Sequence, residues 1–288
     1  MSVFGILRPS NRRVRLLVGM LLAGFFCIQC TRSEAFRQGQ HITFVSGQVI
    51  GSRPAEEIEA LVELARTDHI ALLERCLENY EASYRDYACT LVKQERINRR
   101  VCPEQVIDVK FREAPYSVAM AWTPQTARRG DRVLFVEGKY DGQMLVRPTG
   151  LLGALVGTVK RAPDGAEAMA STLRPVNRFG FGRSLESLLK VYRKAREMGD
   201  LKEEFGGIAD VDGRKTLVLI RYLPPKEDYP AHKTLTYIDL EYLVPVLIEA
   251  YDWDQQPNSN YAFKNLRFNI GLTEQDFLPQ ANQMKPPM

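Results

Sequence analysis

The sequence has few of the residues that carry metals or nucleophilic chemistry. Only three histidines occur in its 288 residues, and His41, His69 and His232 lie in three unrelated segments. Beyond the first 35 residues the cysteines are Cys76, Cys89 and Cys102. None of these forms a C-x-x-C pair or a Cys/His spacing, which excludes the common zinc patterns. At most one intramolecular disulfide can form among the three, and three free buried thiols is the other reading. Phosphate loops are also missing. Gly180-Phe181-Gly182 lacks the third glycine of a dinucleotide fingerprint and follows no strand. Gly182-Arg183-Ser184-Leu185-Glu186 lacks the second glycine of a nucleophile elbow. Asp252 and Asp254 flank Trp253 as a carboxylate pair suited to glycoside or metal chemistry; polar turn residues is the plainer reading. No catalytic constellation emerges, so catalytic, metal and cofactor residues are all expected to be none.

Net charge is missing too, once the N-terminus is set aside. Arg8, Arg12, Arg13 and Arg15 precede an apolar run from Leu16 to Ile28, and Ser33-Glu34-Ala35 follows. That order predicts a signal peptide over 1–35 and export to the periplasm or cell envelope. The run is 13 residues, short for a membrane span; an uncleaved N-terminal anchor and a lipoprotein are the rival readings. The whole chain carries 39 basic and 35 acidic residues. Removing five basic residues and one acid with the leader leaves 34 of each sign. A nucleic-acid partner thereby loses its electrostatic support, since such binding depends on neutralising phosphates.

What is present is alternation. Residues 36–53 read as a flexible lead-in, and Pro54 opens a helical region in which Ile58, Leu61, Val62, Ala65, Leu72, Leu73, Cys76, Leu77 and Tyr80 form one apolar stripe. Thr67-Asp68 divides it into two helices. From Cys89 to Arg147 apolar and polar residues alternate between turn clusters, the pattern of an antiparallel meander with one buried face. Strands are expected near 86–97, 104–112, 116–123, 131–137 and 142–147. Residues 148–183 break the pattern, as either a lid-like excursion or a surface connection. Ser184 then caps a helix that ends at Gly199. Strands return near 203–211, 214–223, 232–240, 245–252 and 260–269, with Asp212-Gly213 as a hairpin turn. Residues 281–288 read as a disordered tail.

The segments YACTLVKQERI, VIDVKFREAPYSVAMAW, VLFVEGKYDGQMLVRP, DLEYLVPVLIEAYDW and YAFKNLRFNIGLTEQDF resemble the DUF1571 family, over roughly residues 65–280. More distantly, the layout is similar to the LolA/LolB superfamily of lipoprotein carriers. The shared marks are a strand ending in R-x-x-P, a strand ending in Trp122, a Y-x-D … P … I-x-x-Y-D strand pair and a late Asp-Phe. The carrier resemblance implies an α+β fold: a half-open antiparallel β-barrel of about ten strands. An N-terminal helix and a helical insert over 148–200 would cover its concave face, within one domain from 54 to 280. It also implies acyl chains in the hollow, with Arg112 near the arginine that latches the lid. Here two residues separate Arg112 from Pro115, a departure from the carrier R-P.

The lipid reading needs apolar area rather than a motif. Phe111, Met120, Trp122, Leu134, Val136, Met144 and Val146 are the lining candidates, and a filled core is the other fate of such residues. Lys93, Glu95 and Arg96 read as a charged cluster that pairs across strands with Lys110 or Arg112. The partners expected are lipid acyl chains or a lipidated protein, with transient membrane association. The competing class is a structural or protein-interaction module with a filled barrel, and a weaker third is an unrecognised hydrolase.

Overall fold

The computed structural model describes residues 53–127, 130–150 and 157–286. The expected leader, most of the lead-in and the run 151–156 lie outside the described residues. The described residues fall within one compact unit.

Two helices come first, α1 (Ala55–Thr67) and α2 (His69–Ser83). They break where the sequence predicts: the Asp68 carboxylate accepts from the backbone N–H groups of Ile70 and Ala71 at 3.0 and 3.1 Å, capping α2. Leu72, Leu73 and Cys76 on the apolar stripe are fully buried.

Twelve strands form one antiparallel sheet. The first meander is β1 (Asp86–Ile97), β2 (Arg100–Val101), β3 (Gln105–Arg112), β4 (Ser117–Trp122), β5 (Gly130–Val136), β6 (Met144–Pro148) and β7 (Val159–Arg161). The second is β8 (Lys202–Val211), β9 (Arg214–Tyr222), β10 (Lys233–Asp239), β11 (Pro245–Tyr251) and β12 (Pro257–Phe268). The order across the sheet is β7-β6-β5-β4-β3-β1-β12-β11-β10-β9-β8, with β2 pairing only with β1. The two meanders are thus stitched along one seam, β1 against β12, and β7 and β8 remain as open edges. This is the α+β half-barrel. The ten strands expected lie within a residue or three of their places. β2 and β7 are additional, being too short for alternation to announce.

The seam dictates the path between the meanders. The chain leaves β7 at one edge and must re-enter at β8 on the other. It crosses the concave face through α3 (Ala166–Met169), a 3-10 turn at Val176–Arg178 and α4 (Phe181–Glu197). The expected start of α4 at Ser184 moves back to Phe181, with Gly180 at its N-cap. Gly180 has φ +114, and a Cβ there would lie 2.8 Å from the Phe111 ring. Only glycine lets α4 begin pressed onto the sheet. The Asp212-Gly213 turn has positive φ at both residues (55 and 77), as a two-residue hairpin requires.

Under α2 and α4 the half-barrel is full. Tyr87 packs on Phe111 at 4.8 Å and on Phe181 at 4.9 Å, and Tyr84 stacks on Phe268 at 3.9 Å. The opposite face of β4–β6 is covered by the chain's last segment, where Phe277 and Met284 pack on Ala119, Leu134, Val136 and Leu145. The tail expected to be disordered therefore contributes a 3-10 turn at Gln280–Asn282 and a Met284 only 3% exposed. Apolar side chains on both faces of β5 required this second cover.

Candidate ligand-binding cavity

Beyond the aromatic plug, the concave face is hollow. A cavity of about 920 Å³ lies between β1, β3–β7 and residues 163–184, with Ile248, Tyr261 and Phe263 contributed from β11 and β12. Its wall is built by strand parity. Ile107 faces Trp122 across β3 and β4, Met120 faces Val133, and Val133 faces Val146. These positions share the concave face, and residues 163–184 pass over them without filling the space.

Of the seven lining candidates, Met120, Trp122, Met144 and Val146 stand on the cavity wall. Phe111 does not: it is 1% exposed inside the aromatic plug beneath Gly180. Leu134 and Val136 sit on the convex face under Phe277 and Met284. β5 is apolar at every position from Val133 to Val136, so its alternation has no visible phase, and cross-strand register puts Val133 and Phe135 inward instead. Trp122 Nε1 donates to Gln105 Oε1 at 2.7 Å, which anchors the ring at the rim.

Arg112 is not a lid latch. It alternates with inward-facing Phe111, so it stands on the convex face, with its guanidinium 5.2 Å over the Phe277 ring. Other residues hold the insert to the sheet. The Tyr116 hydroxyl lies 2.7 and 2.9 Å from the carbonyl oxygens of Val176 and Phe179. Arg183 packs its guanidinium 3.9 Å from the Tyr116 ring and donates to the Asn177 carbonyl. Glu113, next to Arg112, accepts from Tyr80 of α2 at 2.5 Å. Burial holds that carboxyl above the usual range.

The charged residues of β1 also differ from expectation. Lys93 and Glu95 follow Tyr87, Cys89 and Leu91 on the concave face, and they pair with each other at 2.9 Å. Arg96 points the other way, to Asp252 at 3.6 Å, and Lys110 pairs with Asp276 at 3.5 Å. Glu95 is 2% exposed and accepts from Tyr261 (2.6 Å), Thr172 (3.3 Å) and the Leu173 N–H (3.3 Å), while Lys93 donates to Thr172 (3.0 Å). Sequence reasoning missed this buried polar anchor, although the period-2 count from Tyr87 places both charges inward.

Among the described cysteines only Cys102 stands on the cavity wall. Asp252 caps its own turn, accepting from the N–H groups of Asp254 and Gln256 at 3.0 and 2.8 Å. Cys76, Cys89 and Cys102 are all free. Burial pushes the Cys76 thiol up to about 12 and raises Cys89 also, which removes both as nucleophiles. Among the described residues no group of His, Cys, Asp and Glu could hold a metal ion, and no helix is long and apolar enough to cross a membrane.

The model of one protein family, DUF1571, a group of unknown function, matches residues 84–285. The chain belongs to the DUF1571 family. No curated protein matches it in sequence. Solved structures similar to this DUF1571 chain include the MucA/MucB complex of Pseudomonas aeruginosa, at 14% identity and TM-score 0.45, covering 75% of this chain and 62% of that one. The chain therefore spans about three-fifths of that relative's length. The Mycobacterium tuberculosis lipoprotein LppX aligns at 12% identity and TM-score 0.42, covering 72% of this chain and 99% of that one. A LolA superfamily protein from Nitrosomonas europaea aligns at 9% identity and TM-score 0.21, with coverages of 72% and 97%.

Proposed function

We propose that this DUF1571 protein is an exported, non-enzymatic envelope protein that holds an amphiphile, a lipid or the acyl part of a lipidated protein, in its half-barrel. The observation that carries the reading is the roughly 920 Å³ hollow on the concave face. That volume is within the range of small-molecule sites, about 300–1,000 Å³. Met120, Trp122, Val133, Met144 and Val146 supply the apolar wall, and each CH₂ withdrawn from water there contributes about 0.8 kcal/mol. A chain of a dozen or more carbons would gain enough to leave a membrane only if most of it were enclosed. The insert over the hollow supplies that enclosure.

Trp122 reports on the cavity directly. The sequence has two tryptophans, so Trp253→Phe leaves Trp122 as the sole emitter. Titrating oleate into this variant is expected to give a saturable change in its emission, and native mass spectrometry of protein purified from the envelope is expected to show bound lipid. A flat titration together with lipid-free protein overturns the reading.

A further inference from the structure

The cavity is apolar toward β4–β6, but toward β12 it ends in charges that do not cancel. Lys93 and Glu95 neutralise each other. Arg174 has no such partner. Its guanidinium lies 5.1 Å over the Tyr261 ring on the cavity wall and makes no ion pair among the described residues.

A second uncancelled cation lies farther along the same face. One register row crosses the sheet from Glu95 to Ser259, Ala250, Thr234 and Arg221. Arg221 is 2% exposed. Its Nη2 donates to Thr234 Oγ1 at 3.0 Å and its guanidinium packs 4.9 Å over Tyr192. Its Nε and Nη1 have no hydrogen-bond partner among the described residues. Glu203 is its cross-strand neighbour on β8, yet that carboxylate turns to Arg196 (3.4 Å) and His69 (3.7 Å). Burial pulls Arg221 below the ordinary arginine range. Arg221 lies beneath α4 and does not line the cavity, whereas Arg174 stands on its wall. A guanidinium on a cavity wall without a counter-ion favours an anionic ligand over a neutral one.

We infer that this end of the cavity is an anion subsite, in which Arg174 binds the carboxylate or phosphate headgroup of an amphiphile whose chain lies along Met120, Trp122, Met144 and Val146. The inference rests on the amphiphile-binding reading and deepens it. Guanidinium suits both headgroups, since its planar fork matches carboxylate and phosphate oxygens alike.

The test uses Trp122 emission in the Trp253→Phe background, with three probes: oleate, lysophosphatidylglycerol and uncharged monoolein. At low salt at least one anionic probe is expected to bind about tenfold tighter than monoolein, the scale of one charge-assisted hydrogen bond. Arg174→Ala is expected to abolish that preference, so that anionic and uncharged probes bind alike, and added salt is expected to shrink it in the wild type. Preference for oleate alone identifies a carboxylate ligand and preference for the lysophospholipid alone a phosphate; either supports the subsite. Arg174 is solvent-exposed, so circular dichroism of the variant is expected to match wild type. Equal binding of all three probes, or a preference that survives Arg174→Ala, overturns the subsite and leaves the amphiphile reading standing. If no probe binds, the subsite falls, and the amphiphile reading falls with it when the purified protein is also lipid-free.

Discussion

His69 shows how burial turns an ordinary residue into a pH-dependent one. It is 1% exposed at the start of α2, and Nε2 meets the Ala65 carbonyl at 2.9 Å. Burial lowers its pKa to about 4 from the ordinary 6.5, so the folded state holds the neutral ring. Because the folded value lies below the unfolded one, the stabilisation is complete above pH 6.5 and is lost as pH falls through 6.5 toward 4. Its size is on the order of 3 kcal/mol. Glu203, 3.7 Å away, has its carboxyl raised by burial and contributes in the opposite sense. The imidazole is isolated by comparing His69→Gln with wild type. Denaturant titrations between pH 4.5 and 7 are expected to give a flatter stability profile for the variant, and parallel profiles would refute the assignment. Single residues were legible in sequence only where their strand had a phase. Met120 and Trp122 alternate with small residues, so their face could be counted. In β5 every position from Val133 to Val136 is apolar, so no alternation marks Leu134 and Val136 as facing the convex side.

At the scale of elements, the crossing segment is held to the sheet by a buried ion pair rather than by a strand-end arginine. Glu95 accepts from Thr172 and the Leu173 N–H as well as from Lys93 and Tyr261. Removing one partner of such a pair costs about 3–5 kcal/mol, because the other charge stays buried. Glu95→Gln is expected to destabilise by that order and to raise amide exchange over residues 170–176 beyond the global change. Lys93→Met with Glu95→Leu is expected to recover much of the stability but not the protection of the segment, since Thr172 and the Leu173 N–H still lack the Glu95 carboxylate. Equal exchange there in all three proteins would argue against a tether. Strands and helices were readable because period-2 and three-four spacing persist over six residues or more. β2 and β7 are shorter than that, and α4 begins early for a reason no periodicity encodes: Gly180 against Phe111.

At the scale of the whole molecule, the half-barrel divides its own interior. Aromatic rings fill the part beneath α2 and α4, while the part beneath residues 163–184 is hollow. The sequence left a filled barrel and a hollow one as rivals, because alternation reports which face a residue occupies and not what lies above it. Both halves of that choice are present at once. The sheet also needs cover on its convex side, and the chain's last segment provides it. Phe277, 2% exposed, lies over Leu134 and Val136 and under Arg112. Phe277→Ala is expected to cost about 3–4 kcal/mol in equilibrium unfolding. A cost below 1 kcal/mol would mean that the segment only rests on the sheet.

The β1–β12 seam also sets an order of assembly. β1 is made first in the sheet and paired last. One of its edges finds β3 within a few residues, but the other stays open through the whole of the chain between residues 97 and 257. Until then Leu91 lacks its cross-strand neighbour Phe263, and an unpaired edge beside bare apolar surface is where chains join one another. The molecule is most exposed to aggregation just before it is finished, and the strand that ends this exposure, β12, also carries Tyr261 and Phe263 to the cavity wall. Closing the sheet and completing the cavity wall are one event.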